Sequence, residues 1–309
     1  YRGIVGGTRR DTTANYWGVM VTLAEVRDGY NRLNTRLVRG AGALAGNAFR
    51  QLGSWRDDDL ERYIRVVGPQ IDGFKQQAAN LQAAYYQQVA RANGEAFTPE
   101  PVRPSDLTDE VLRNGPSAQE VYRRPFVQVY TALSENTLFT AAIEQGVARA
   151  SSIAETDVQL ASRQAGLKQR QGNSNIVGYR RVLTGSENCA LCAIASTQRY
   201  RVNNLKPIHP GCDCGEEAIY GDFDPGQVID QGGLESIHEA LQSQFGVSDR
   251  GARDAAIGKF VQYDDDVRLA DFTEIIATRQ HGEYGPTLTW RDQAFTGPSE
   301  IPTALDTTI

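Results

Sequence analysis

The chain has 309 residues, 40% of them hydrophobic and 23% charged, with 30 Gly and 12 Pro, a composition that supports about two packed cores and excludes wholesale disorder and collagen-like structure. Arg, Asp, Asn or Gln interrupts every apolar stretch before the roughly 18 to 20 residues a membrane span needs, so we expect a soluble protein with no membrane partner. Residues 1–173 carry 21 Lys+Arg against 18 Asp+Glu and residues 174–309 carry 11 against 20, a total of −6 that makes nucleic acid an unexpected main ligand.

No basic segment followed by an apolar one marks the start for secretion, and the opening residue, Tyr1, leads us to expect that a preceding segment has been removed. From Val19 to Ala48, Leu23, Val26, Tyr30, Leu33 and Leu37 recur at helical steps and predict an amphipathic helix. Leu60, Ile64, Val67, Ile71, Phe74, Ala78, Leu81 and Tyr85 then alternate steps of 4 and 3, the 3.5-residue period of a packed helix pair. Gly68-Pro69 and Gly73 fall inside this run and predict a kink or a helix restart. A helical stretch over Leu107–Glu135, broken at Gly115-Pro116, follows the Pro-containing linker Phe97–Pro104. Another covers Asn136–Gln171, with Leu138, Ile143, Val147 and Ile153 on one side.

All four cysteines fall between Cys189 and Cys214. Cys189-Ala-Leu-Cys192 is a C-x2-C unit, and His209-Pro-Gly-Cys212-Asp-Cys214 adds H-x2-C and C-x-C after sixteen residues. Thiolate and imidazole suit Zn2+, and two paired turns separated by a loop reach a tetrahedral ion from two sides, so a structural zinc ribbon is expected. The intervening Thr197–Val202 alternates as a strand does. Five candidates compete for four positions: Cys189, Cys192 and His209 with either Cys212 or Cys214, or the four cysteines alone. A closed four-ligand site supplies folding energy rather than catalysis.

An enzymatic reading meets no support. Zinc deaminases need H-x-E before the C-x-x-C, whereas here the order is reversed and Gly211 stands two residues after His209. Asp57-Asp-Asp59 reads as a helix start and Asp264-Asp-Asp266 as a solvated turn. His238 lies in a helix expected over Leu234–Phe245, and His281-Gly-Glu-Tyr-Gly-Pro286 reads as a turn with His281 packed in it.

Taken together, Gly178-Tyr-Arg-Arg-Val182, Cys189–Cys192, Ile194-Ala-Ser196, Tyr200, Leu205-Lys-Pro-Ile-His209, Cys212-Asp-Cys214, Asp224-Pro-Gly226 and His281–Pro286 resemble, in order, the MuF-like minor capsid (head morphogenesis) proteins of tailed bacteriophages, in the form found in phages of actinobacteria. The resemblance spans roughly residues 136–298. It implies a virion component inside the head at the portal vertex, needed for head assembly or DNA delivery and passing through the host cytoplasm during assembly, with the portal protein and other capsid components as partners; the residues themselves lead us to expect no enzyme. The organisation expected is α+β and predominantly α: a docking helical bundle over 1–135, a connecting helix over 136–173, a cysteine/zinc domain over 174–226, and a helical segment with an extended tail over 227–309. The alternative is a zinc ribbon whose Arg199, Arg201 and Lys206 contact packaged DNA. Residues 175–220 hold five basic side chains against four acidic ones, and Asp213 stands between the last two cysteines where the family is often basic, with Glu216 and Glu217 following, which speaks against that grip.

Overall fold

The computed structural model describes residues 22–183, 190–196, 198–208, 211–212, 214–221, 276–281 and 283–290. Within them the protein is α+β and mainly helical, with small antiparallel sheets. No described helix is long and apolar enough to cross a membrane.

Helix α1 (Leu23–Arg50) starts at a capping box, where the Thr22 hydroxyl accepts from Glu25 N (3.2 Å) and the Glu25 carboxylate accepts from Thr22 N (2.7 Å). Helix α2 (Asp57–Ala92) begins with Asp57, Asp58 and Asp59, which face the positive end of the helix dipole as expected. Its stripe is buried at Leu60, Val67, Ile71, Ala78 and Tyr85, with Ile64, Phe74 and Leu81 partly covered. The expected restart at Gly68-Pro69 is absent, for α2 runs on through Pro69. Two features account for this. Gly68 has no Cβ to meet the proline ring, and Gln70 Nε2 donates to the Val66 carbonyl at 2.8 Å on the exposed side of the helix.

Past a 3-10 turn at Pro104–Asp106 come α3 (Asp109–Arg113), α4 (Ala118–Tyr122) and α5 (Arg124–Ser134). The break between α3 and α4 is made by Asn114 and Gly115, at φ 59° and 136°. Helix α6 (Phe139–Gly172) packs against α1, α2 and α5. Gly42 and Gly46 on α1 face Glu155 and Ser151 on α6 where a Cβ would collide, so the two helices approach closely. Phe49, Tyr63 and Phe126 meet edge to face in the core between them, with centroids 4.9–6.0 Å apart.

The predicted stripe on α6 understates its burial. From Ile153 to Arg170 both apolar and polar residues are covered, including Asp157, Arg163, Gln169 and Arg170. The reason is the sheet that follows. Strand β1 (Ile176–Val182) lies between β2 (Arg199–Arg201) and β3 (Gly215–Tyr220), both antiparallel to it. A strand does form at 199–201, although Arg199 and Tyr200 are both buried and only Arg201 is exposed, whereas Cys192 stands on a short helix, α7 (Ala190–Ser196), where the ribbon pattern leads to a turn. Cys192, Ile208, Cys212 and Cys214 share one apolar cluster with Ala79 of α2, Leu107, Leu112 of α3, and Leu160, Ala161 and Ala165 of α6. The expected boundary at 173/174 is therefore a change of secondary structure within a continuous core.

Of the segment 227–309, only the hairpin of β4 (Ile276–His281) and β5 (Gly285–Trp290) is described; the helix expected around His238 and the turn at Asp264–Asp266 lie outside the described residues. Strand β5 bridges the segment before His209 in parallel, through Leu288 N to Ile208 O (2.9 Å) and Ile208 N to Pro286 O (3.3 Å).

Candidate metal centre

Three of the five predicted ligands are described, and they converge. Cys192 Sγ lies 3.5 Å from Cys212 Sγ, which lies 3.1 Å from Cys214 Sγ. These separations exceed the about 2.05 Å of a disulfide bond. They approach the roughly 3.8 Å between two sulfurs that each stand 2.3 Å from one tetrahedral Zn2+. The three sulfurs form a buried group that could hold a metal ion, and soft donors of this kind fit zinc. Cys189 and His209 lie outside the described residues, so the remaining ligand stays open between them.

Each cysteine is positioned by a different element. Cys192 is held by α7; Cys212 is fixed through its carbonyl, which accepts from Gln159 Nε2 of α6; Cys214 precedes β3 and its carbonyl accepts from Lys206 Nζ at 2.6 Å. Arg181 of β1 is buried against the sulfurs, with Nη1 2.8 Å from Cys214, 3.9 Å from Cys192 and 4.0 Å from Cys212. Hydrogen bonds from Cys192 and Cys212 hold the Cys214 thiol well below its usual range, with Arg181 and Lys206 adding to them and burial opposing.

The Glu-Glu and Arg-Arg pairs of the sequence are interior features. Arg170 of α6 binds Glu216 and stacks over the Tyr179 ring at 4.0 Å, while Arg180 pairs with Glu217 at 3.0 Å and Arg27 of α1 with the same carboxylate at 2.7 Å. Arg199 is fully buried and Lys206 nearly so, whereas Arg201 is exposed. Two of the three cations assigned to a DNA grip thus face the interior.

The His281–Pro286 motif seats the hairpin tip. His281 Nδ1 accepts from Glu283 N at 3.0 Å, and its ring stacks on Tyr284 with centroids 4.9 Å apart. The Glu283 carboxylate reaches Arg113 (3.5 Å), Arg149 (3.4 Å) and Arg124. Arg163 of α6, fully buried, donates to the carbonyls of Tyr284 (2.7 Å), Pro286 (3.0 Å) and Lys206 (3.3 Å). Sequence reasoning missed Arg113, Arg163 and Arg181; the available signal was arginine at apolar positions of a helix or strand period. No protein-family model, curated protein sequence or solved structure matches the chain.

Proposed function

We propose that this chain is a structural component of a tailed-phage particle, a MuF-like minor capsid protein that binds the portal protein and neighbouring capsid components inside the head, with Zn2+ as an internal staple. The observation that carries this reading is convergence. Strand Gly178–Val182, the cysteines and the hairpin His281–Pro286, which bear the resemblance in the sequence, meet at one buried locus through Arg181 and Arg163. Cysteines only 2–4% exposed suit a scaffold that takes folding energy from a metal better than a site that admits substrate.

A docking face for the bundle is offered at its far end. Val127, Tyr130, Leu138 and Phe139 are each at least half exposed, and Trp55 joins them, with its ring 5.7 Å from that of Phe139. A groove of about 420 Å³ opens between Trp55, Leu60 and α5. Trp55 is held at φ 52°, a conformation unusual for a bulky residue, by hydrogen bonds from its N to Asp59 (2.8 Å) and from its indole to the Phe49 carbonyl (3.1 Å). Exposed apolar patches of this kind mark partner surfaces.

The test is to purify DNA-filled particles from infected host cells and search them by mass spectrometry for this polypeptide, with elemental analysis of the isolated protein alongside. We expect the polypeptide at low copy number and about one zinc per chain. Its absence from particles overturns the assignment.

A further inference from the structure

We infer that Arg181 is a positioning residue for the metal centre: a permanent cation seated against the cysteine sulfurs that orients Cys214 and offsets the negative charge of the bound thiolates. The inference rests on the metal reading above and assigns a role to a residue outside the ligand set.

The two adjacent arginines of β1 are treated differently by their surroundings. Arg180 has a carboxylate, Glu217, at 3.0 Å. Arg181 is 0% exposed, forms no ion pair with a carboxylate among the described residues, and leaves Nε and Nη2 without hydrogen-bond partners. A guanidinium taken out of water without an anion costs several kcal/mol. Among the described residues, the groups within reach of Arg181 that can carry negative charge are the sulfurs, all three within 4.0 Å of Nη1, and the Tyr200 ring lies 5.9 Å from its Cζ.

A divalent ion held by these three thiolates carries one net negative charge with His209 as the fourth ligand and two with Cys189, and a guanidinium alongside offsets one of them. Lys206 adds a second cation on the Cys214 backbone. The N–H···S contact at 2.8 Å draws charge from the Cys214 sulfur and fixes the direction of its lone pairs, as partners behind metal ligands do.

Arg181→Met, close in length and apolar, and Arg181→Lys, which restores the charge, are compared with the wild type as full chains loaded with Zn2+ and with Co2+. Zinc transfer to a chromogenic chelator and the thiolate-to-cobalt charge-transfer band are followed. We expect Arg181→Met to weaken metal binding by about 10- to 100-fold and to move the charge-transfer band to lower energy, because the sulfur it leaves donates electrons more readily. Arg181→Lys should recover most of both. A folded Arg181→Met protein whose zinc transfer and cobalt spectrum match the wild type overturns the inference; if that variant does not fold, a lysine variant that stays closer to the wild type in both readouts than an Arg181→Gln protein supports it, and one indistinguishable from Arg181→Gln overturns it. Wild-type protein that takes up no stoichiometric metal is a different result, since it removes the metal reading itself.

Discussion

Asp109 sits at the base of a cleft between α2 and α3, 3.4 Å from Lys75 Nζ and 3.9 Å from Arg113. Burial, followed by the charge of Asp157, pushes its carboxyl up to about 6, against the pull of Lys75 and Arg113. Because the folded value lies above the ordinary 3.8, the native chain holds this proton more tightly than the unfolded chain, and the contribution to stability falls as pH rises from about 4 to 6. Asp109→Asn fixes the neutral state. It should match the wild type below about pH 4 and gain on the order of 3 kcal/mol above about pH 6, as read from urea unfolding at a series of pH values. A flat difference across that range would contradict the assignment. At this scale the sequence was legible where chemistry clusters: four cysteines within 26 positions announce a shared site whatever the fold. It was opaque for the buried pair Arg180–Glu217, because their meeting depends on a strand register linking segments 37 residues apart.

At the scale of elements, glycines with the same propensity have opposite meanings. A Cβ at Gly166 on α6 would fall on the Glu216 carboxylate that Arg170 and the Tyr86 hydroxyl engage, whereas Gly73 on α2 has open space around it. Gly73→Ala should stabilise by about 0.5–1 kcal/mol, and Gly166→Ala should cost about 3–5 kcal/mol, since it breaks a buried ion pair; thermal unfolding of the two variants checks both signs. Helix α2 was readable because its 3.5-residue period is a property of a single face. The uninterrupted passage through Pro69 was not, since it turns on a missing Cβ at Gly68 and one side-chain hydrogen bond. Nor was the full burial of α6, for the groups that cover Arg163 lie at 206, 284 and 286.

For the whole molecule, the mixed cluster of α2, α3, α6 and cysteine side chains argues for one cooperative unit. Far-UV circular dichroism and tryptophan fluorescence should report coincident transitions, and a strong chelator should lower both midpoints together. A helical transition that survives metal removal unshifted would separate the two parts. The outer apolar face should behave independently of this core. Leu138→Asp and Tyr130→Asp alter residues 77% and 50% exposed. Each should leave stability within about 0.5 kcal/mol, while incorporation into particles, measured by mass spectrometry of purified heads, is lost.

The seating of Arg163 also sets an order of events. Its donors await carbonyls about 40 and 120 residues further along, so this cation gains its full set of acceptors only once the chain extends past Pro286. A chain truncated before Tyr284 keeps Cys192, Cys212 and Cys214 yet deprives the Arg163 guanidinium of two of its three carbonyl acceptors, so the hairpin's absence should be felt as lost stability in the core it never touches by sequence.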